Sequence, residues 1–295
     1  MTYPPAAPPA RFGDYLELTK PRLSLLSVLT ALVGYLTVRP AAGGARLGFV
    51  LLGTSLAAAG VAALNQWLEQ DTDALMKRTA DRPIPTGKVP DGSAFVLGTL
   101  MCIASLFLLF AKVNPLATLF TLLTIITYLG WYTPAKRWST WSTEIGAIAG
   151  AFPPLIGWAA AEGSVTTLGW ILFGVLFFWQ IPHFMAVAWT YRRDYSAVHF
   201  PMLPVRDEAG GKVAAWSFAN TVLLVGVSLL PWHYGLASAW YAAAAVGAGG
   251  WFLWRAGRFL RVEGRDVAAR KLFFGSIIYL PIVLTALVLD RVIFS

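Results

Sequence analysis

Asn65, Glu69 and Asp73 stand four residues apart at the end of a long run of Leu, Ala, Gly and Val. On a helix that spacing drifts only about 40° per step, so the three oxygen-bearing side chains share one face and Asp71 points away from it. Such donors, placed where lipid gives way to water, suit Mg²⁺, which takes a few carboxylates and completes its shell with waters and phosphate oxygens. Lys77, Arg78, Arg82 and Lys88 follow at once. Arginine grips phosphate oxygens in pairs, so a metal clamp beside a basic clamp fits a diphosphate. The plainer alternative is a solvated loop whose mixed charges only set topology. The regular register of Asn, Glu and Asp, with arginines behind it, favours the chemical reading.

The elements that must hold these residues are transmembrane. Of the 295 residues 57% are hydrophobic and only 13% charged, against roughly 25% charged in a soluble domain. Apolar runs of about 18 or more residues read as membrane spans. They predict nine helices, near 23–38, 47–68, 93–111, 115–132, 142–161, 167–190, 213–231, 237–254 and 272–290. The fold class is therefore all-α integral membrane, one polytopic domain over residues 1–295 with no room for a separate soluble unit. Residues 1–22 are Pro-rich, carry acids and lack an apolar core with a cleavage site, so they read as a cytoplasmic N-terminal segment and not as a signal peptide.

Lys and Arg favour cytoplasmic loops. With the N-terminus inside, all of the 23 basic residues except Arg39, Arg46, Lys112 and Arg291 fall on the inner side. This predicts a multi-pass protein of the cell inner membrane, its long loops after helices 2, 4, 6 and 8 cytoplasmic and its C-terminus outside. The net charge of +8 then reflects topology and contact with anionic membrane lipid, and no motif points to nucleic acid. Cys102 is alone within a hydrophobic helix and says nothing about disulfides or metal clusters. The loops after helices 2 and 6 are alike in kind, as are those after helices 4 and 8, which suggests two four-helix halves plus a ninth helix.

The run Asn65-x3-Glu69-x3-Asp73, then Met76-Lys77-Arg78-Thr79 and Arg82-Pro83, resembles the first Asp-rich motif of the UbiA superfamily of intramembrane prenyltransferases. "YLELTKPRLSLLSVLTALVGY" (15–35), "YTPAKRWSTWSTEIGAIAGAFPPLIGWAA" (132–160) and "FFWQIPHFMAVAWTYRRDYSAVHFPMLPV" (177–205) look like the branch of that superfamily that prenylates haem. Together these stretches span most of residues 14–212, while the last third matches in hydrophobic pattern only. Two departures stand out: Glu69 occupies a position where the family usually has Asp, and Asp194 is followed four residues later by Val198, where many members carry a second carboxylate.

The resemblance implies a UbiA-type bundle in which farnesyl diphosphate loses diphosphate and its farnesyl group passes to a vinyl group of haem B, giving haem O. It implies Asn65, Glu69 and Asp73 on Mg²⁺, and Arg78, Arg82, Lys136, Arg137 and Arg193 on phosphate. Asp194 would orient the diphosphate or bind an ion through water. His183 follows Pro182, which is expected to kink its helix. An intramembrane His is costly enough to suggest function, either as a ligand to haem iron or as a partner of a propionate; the alternative is a His packed against a neighbouring helix. His199 could serve the same way from its loop. Tyr132, Trp179 and Tyr191 belong to an aromatic group at the inner ends of helices 4 and 6, suited to line a porphyrin or to cradle a carbocation by its π faces. The partners implied are farnesyl diphosphate, haem B, membrane lipid, and a haem A synthase or terminal oxidase that takes the product. Two other readings are transfer to an aromatic quinone or chlorophyll precursor, and an ion-coupled transporter. The second pair of carboxylates typical of the former is missing, and the latter would place charge near mid-membrane, where this chain has little.

Overall fold

Prolines and capping side chains mark where the helices begin. Lys20 precedes α2 (Pro21–Val38), opened by Pro21, whose missing N–H costs nothing in a first turn. Asn114 accepts from the Ala117 N–H at 2.8 Å and starts α6 (Pro115–Ile126). Ser238 caps α14 (Ala239–Phe259) in the same way. The computed structural model describes residues 10–39 and 44–294, so the expected N-terminal segment 1–22 lies outside the described residues up to residue 9.

The described residues hold no strand. Besides those three helices there are α1 (Phe12–Leu18), α3 (Gly44–Leu68), α4 (Gln70–Asp73), α5 (Asp91–Lys112), α7 (Thr133–Ala135), α8 (Ser142–Ala151) and α9 (Pro153–Glu162). The chain continues through α10 (Thr167–Thr190), α11 (Arg192–Ala197), α12 (Leu203–Arg206), α13 (Gly211–His233) and α15 (Arg265–Phe294). A six-residue π-helical stretch, 127–132, joins α6 to α7.

Among the described residues eight stretches are long and apolar enough to cross a membrane. They are α2, α3, α5, the run 115–135, the pair α8 and α9, α10, α13 and α15. The expected helix at 237–254 is present as α14, but Gly, Trp and Tyr dilute its apolar character. The expected helix 142–161 breaks at Phe152, because Pro153 and Pro154 supply no N–H to carry the ladder onward. The last helix begins seven residues earlier than its apolar run, at Arg265, whose buried guanidinium donates to the carbonyls of Ala209 and Leu260. Hydropathy is blind to such a charged first turn. α10 continues unbroken past Pro182.

Sequential helices pack on one another, and α2 closes the bundle by lying against α3, α9 and α15. Of the hydrophobic cores among the described residues, two are the largest. Trp179, Tyr241, Phe252, Phe259 and Tyr279 centre one among α10, α13, α14 and α15. Tyr35, Val50, Phe120, Leu155 and Ile156 centre the other among α2, α3, α6 and α9. Between α2 and α9 the backbones nearly touch: a Cβ on Gly34 would strike the Pro154 carbonyl, and one on Gly157 the Ala31 carbonyl. Small residues permit this approach where lipid offers no hydrophobic drive for helices to associate. The loops after α3, α7, α10 and α14 meet at one end of the bundle, tied by Lys136 to Glu69, Arg78 to Tyr195, and Arg192 to Asp266 at 3.4 Å.

Candidate active site

Glu69 leaves regular helical geometry (φ −106°, ψ 9°) and separates α3 from α4. The ladder nevertheless carries through: the Glu69 N–H donates to the Asn65 carbonyl at 3.0 Å, and the Asp73 N–H to that of Glu69 at 2.8 Å. The predicted register therefore survives the break. Asn65, Glu69 and Asp73 are all buried at the end of the bundle where the loops meet, with exposures of 2%, 5% and 1%. Buried carboxylates persist only when paired, and here each predicted ligand meets a cation.

Lys136 serves Glu69, donating to Oε1 at 2.5 Å. The π-helical stretch positions it: the Thr133 N–H reaches back five residues to the Tyr128 carbonyl, which adds a residue to the turn and rotates the residues beyond it. Thr133 also fixes Asn65, accepting from its Nδ2 at 3.2 Å while its own hydroxyl donates to the Tyr128 carbonyl at 2.9 Å. Asn65 Nδ2 donates to Glu69 Oε2 at 3.0 Å as well, so both oxygens of Glu69 are engaged. The Lys136 ammonium lies 4.5 Å from the centre of the Tyr132 ring. Burial alone would push the Glu69 carboxyl up, but the charge and hydrogen bond of Lys136 outweigh it and hold the carboxyl below its usual range. Conversely, burial works against the Lys136 ammonium, and Glu69 raises it above the ordinary lysine value. The pair is ionic.

Arg82 donates to Asp73 Oδ2 at 2.5 Å. Burial pushes the Asp73 carboxyl up, with Arg82 pulling it back. The third cation is Lys20, a residue that spacing alone did not single out. It donates to Asn65 Oδ1 at 3.3 Å from a left-handed backbone (φ 44°), which places its side chain at the head of α2. Burial, then the nearby Arg82, lowers its ammonium to about 7, with Glu69 acting in the opposite sense. The one local signal for it was a lysine directly before the proline that opens a transmembrane helix. A left-handed non-glycine residue is costly enough to mark a functional site.

The other expected residues divide. Arg78 packs on Tyr191 and Tyr195, 5.2 and 5.8 Å from their ring centres, and donates to the Tyr195 hydroxyl at 3.3 Å, which brings α11 beside the cluster. Arg137 is not brought in. It forms a two-pronged pair with Asp71 at 2.7 and 2.9 Å, on the exposed side that Asp71 was expected to face. Asp194 does not join Glu69 and Asp73: among the described residues no three His, Cys, Asp or Glu side chains gather as a metal site. A short α11 with Val198 four residues on presents a single acid. Arg193, Lys77, Lys88 and His199 are not among the buried residues.

Trp179 and His183 form a separate place, facing α15. Their rings stack at 4.9 Å, Trp179 Nε1 donates to the Ser276 carbonyl at 2.8 Å, and His183 Nδ1 lies 2.7 Å from Ser276 Oγ. The Ser276 hydroxyl also lies 2.6 Å from the Phe273 carbonyl. Ser276 thus ties the imidazole of α10 to α15, and which of the two donates follows the tautomer of His183.

A cavity of about 170 Å³ runs from Lys20 into the bundle. On α3 it is lined by Thr54, Ala57, Ala58, Val61 and Ala62, whose spacing continues the face of Asn65 and Glu69. A charged head thus sits over an apolar shaft. The family model described as UbiA prenyltransferase family matches residues 27–278.

The chain belongs to the UbiA prenyltransferase family. As a member it is a prenyltransferase and an integral membrane protein. A protein from Opitutus terrae named protoheme IX farnesyltransferase is 72% identical over 282 residues, 96% of each chain. One of the same name from Solibacter usitatus is 40% identical over 288 residues, 94% of this chain and 98% of that one. The fold is shared with a digeranylgeranylglyceryl phosphate synthase (TM-score 0.81, 18% identity, 95% of this chain and 98% of that one). It is shared also with a UbiA homolog from Archaeoglobus fulgidus bound to GPP and Mg²⁺ (TM-score 0.65, 15% identity, 93% and 99%).

Proposed function

We propose that this UbiA-family enzyme transfers the farnesyl group of farnesyl diphosphate to a vinyl group of haem B, giving haem O and diphosphate. Identity of 72% over nearly the whole of a protoheme IX farnesyltransferase supports the acceptor. The observation that carries the chemistry is the buried row Asn65, Glu69 and Asp73 with Lys20, Lys136 and Arg82 against it, set over an apolar cavity. The two relatives named for protohaem farnesylation favour this acceptor over a quinone or chlorophyll precursor and over ion-coupled transport.

The donor set fits Mg²⁺: an amide oxygen and two carboxylates, with room for phosphate oxygens and water. Asn65, Glu69 and Asp73 would hold it, and the ion would stabilise negative charge growing on the departing diphosphate. Lys20, Arg82, Lys136 and Arg78 bind the phosphate oxygens and stabilise the same charge in a site closed to bulk water. The C1–O bond breaks with its electron pair leaving on the diphosphate. C1 bonds the terminal vinyl carbon of haem, and water then adds at the neighbouring carbon and releases a proton. Tyr128 and Tyr132, stacked edge to face at 5.0 Å beside Lys136, present π surface to the cation, and the apolar shaft shields it from early capture. His183 would contact the haem from α10, either ligating iron through an unprotonated Nε2 or donating to a propionate from a protonated one, and His199 and Tyr191 would flank it from the loop.

The topology proposed is nine spans, the N-terminus and the loops after spans 2, 4, 6 and 8 cytoplasmic and the C-terminus outside the inner membrane. The one-sided distribution of basic residues supports it. A haem A synthase or terminal oxidase receives the product. The deciding experiment is expression in cells lacking haem O, followed by mass analysis of extracted pigment. Haem O is expected; a prenylated quinone with no haem O would refute the acceptor.

A further inference from the structure

Each proposed metal ligand is occupied by a different cation, and the pairing is one to one: Lys20 on Asn65, Lys136 on Glu69, Arg82 on Asp73. The three cations arrive from separate parts of the chain, 45, 67 and 9 positions away. Both Glu69 oxygens are already engaged, and Glu69 and Asp73 are almost wholly enclosed. A divalent ion approaching alone would have to displace ammonium and guanidinium groups and leave them buried without a counter-charge, which is costly. A diphosphate approaching alone would need cations that are held by the carboxylates. Arriving together, each ligand gives the other's displaced partners a new one.

Resting on the metal–diphosphate reading above, we propose that Lys136 and Arg82 are exchangeable counter-ions of the two carboxylates, and Lys20 an exchangeable donor to the Asn65 amide, which hold the metal ligands until a diphosphate claims them, so that metal and diphosphate bind only as a pair. The cations that grip the substrate thus double as a lock on the metal site. The lock keeps buried carboxylates neutralised in the empty enzyme, and it keeps the site from trapping a metal ion when no prenyl diphosphate is present. Such reciprocity is a coupling free energy between two ligands and must act equally in both directions.

The coupling has a signature that a merely structural ion pair lacks: removing a cation improves metal binding, and removing a carboxylate improves metal-free diphosphate binding. Equilibrium dialysis of the full-length protein in detergent, with labelled Mn²⁺ and inorganic diphosphate as probes, reads both. Wild type is expected to retain Mn²⁺ weakly alone and about tenfold or more tightly with diphosphate, within the ordinary range of site coupling. Lys136→Gln should bind Mn²⁺ alone more tightly than wild type while losing diphosphate. Glu69→Gln should bind diphosphate in chelator more tightly than wild type. Arg82→Gln, at a partly exposed position, should repeat the Mn²⁺ gain if Lys136→Gln does not fold. Equal Mn²⁺ affinity with and without diphosphate, and no gain in any variant, would overturn the lock and leave the metal site standing. No retention of Mn²⁺ by wild type even with diphosphate would overturn both.

Discussion

Lys136 Nζ meets Glu69 Oε1 at 2.5 Å, and Arg137, one residue further on, faces the other way to grip Asp71. Two adjacent basic side chains therefore have different work. One closes a buried charge cluster and the other an exposed ion pair. An exposed pair is worth at most about 1 kcal/mol, so Arg137→Ala should lower stability by no more than that and leave diphosphate affinity within about twofold of wild type. Lys136→Ala should abolish transfer. Comparing the binding of farnesyl diphosphate to the two purified variants checks the distinction, and equal damage would return Arg137 to the phosphate site.

Asp73 is the most enclosed of the three proposed ligands. Asp73→Ala removes a carboxylate and takes the partly exposed Arg82 from its partner, and it should abolish prenyl transfer while the protein still inserts. Turnover assays beside circular dichroism of the purified variant read the two effects separately. Wild-type turnover in that variant would sink the metal assignment.

The cavity lining on α3 runs from Ala62 back to Thr54, about 12 Å at the helical rise. Ala57→Phe would fill the deep part of the shaft and leave the charged head untouched. Its expected effect is a shift of preference from farnesyl toward geranyl diphosphate, by about tenfold or more if a buried isoprene unit contributes as other apolar groups do. Competition between the two diphosphates measures the shift. An unchanged ratio would mean that the prenyl chain lies elsewhere.

His183 Nδ1 is held 2.7 Å from Ser276 Oγ. If Nε2 binds haem iron, His183→Ala should change the Soret band of bound haem, and Ser276→Ala should shift it less by loosening the ring. A spectrum indifferent to His183→Ala would leave that side chain a packing role against Trp179 and Phe273.

The register of Asn65, Glu69 and Asp73 and the apolar spans were legible in the sequence, because helical period and hydropathy are local properties. So was the outward direction of Asp71, which needed only the angle between neighbours on a helix. Partner choice was not legible. Neighbouring residues on a helix point about 100° apart, so which of Lys136 and Arg137 meets Glu69 depends on how that helix is rotated. The rotation is set by a π-helical turn and by the packing of α8 against it. Lys20 was hidden for the same reason, since its contact with Asn65 spans 45 positions and depends on α2 lying against α3. Likewise the docking of α11 through Tyr195 on Arg78 spans 117 positions and had no local signal. Sequence determined which chemical groups stand at the membrane surface; tertiary packing, acting over distances that no local period encodes, decided which of them face one another.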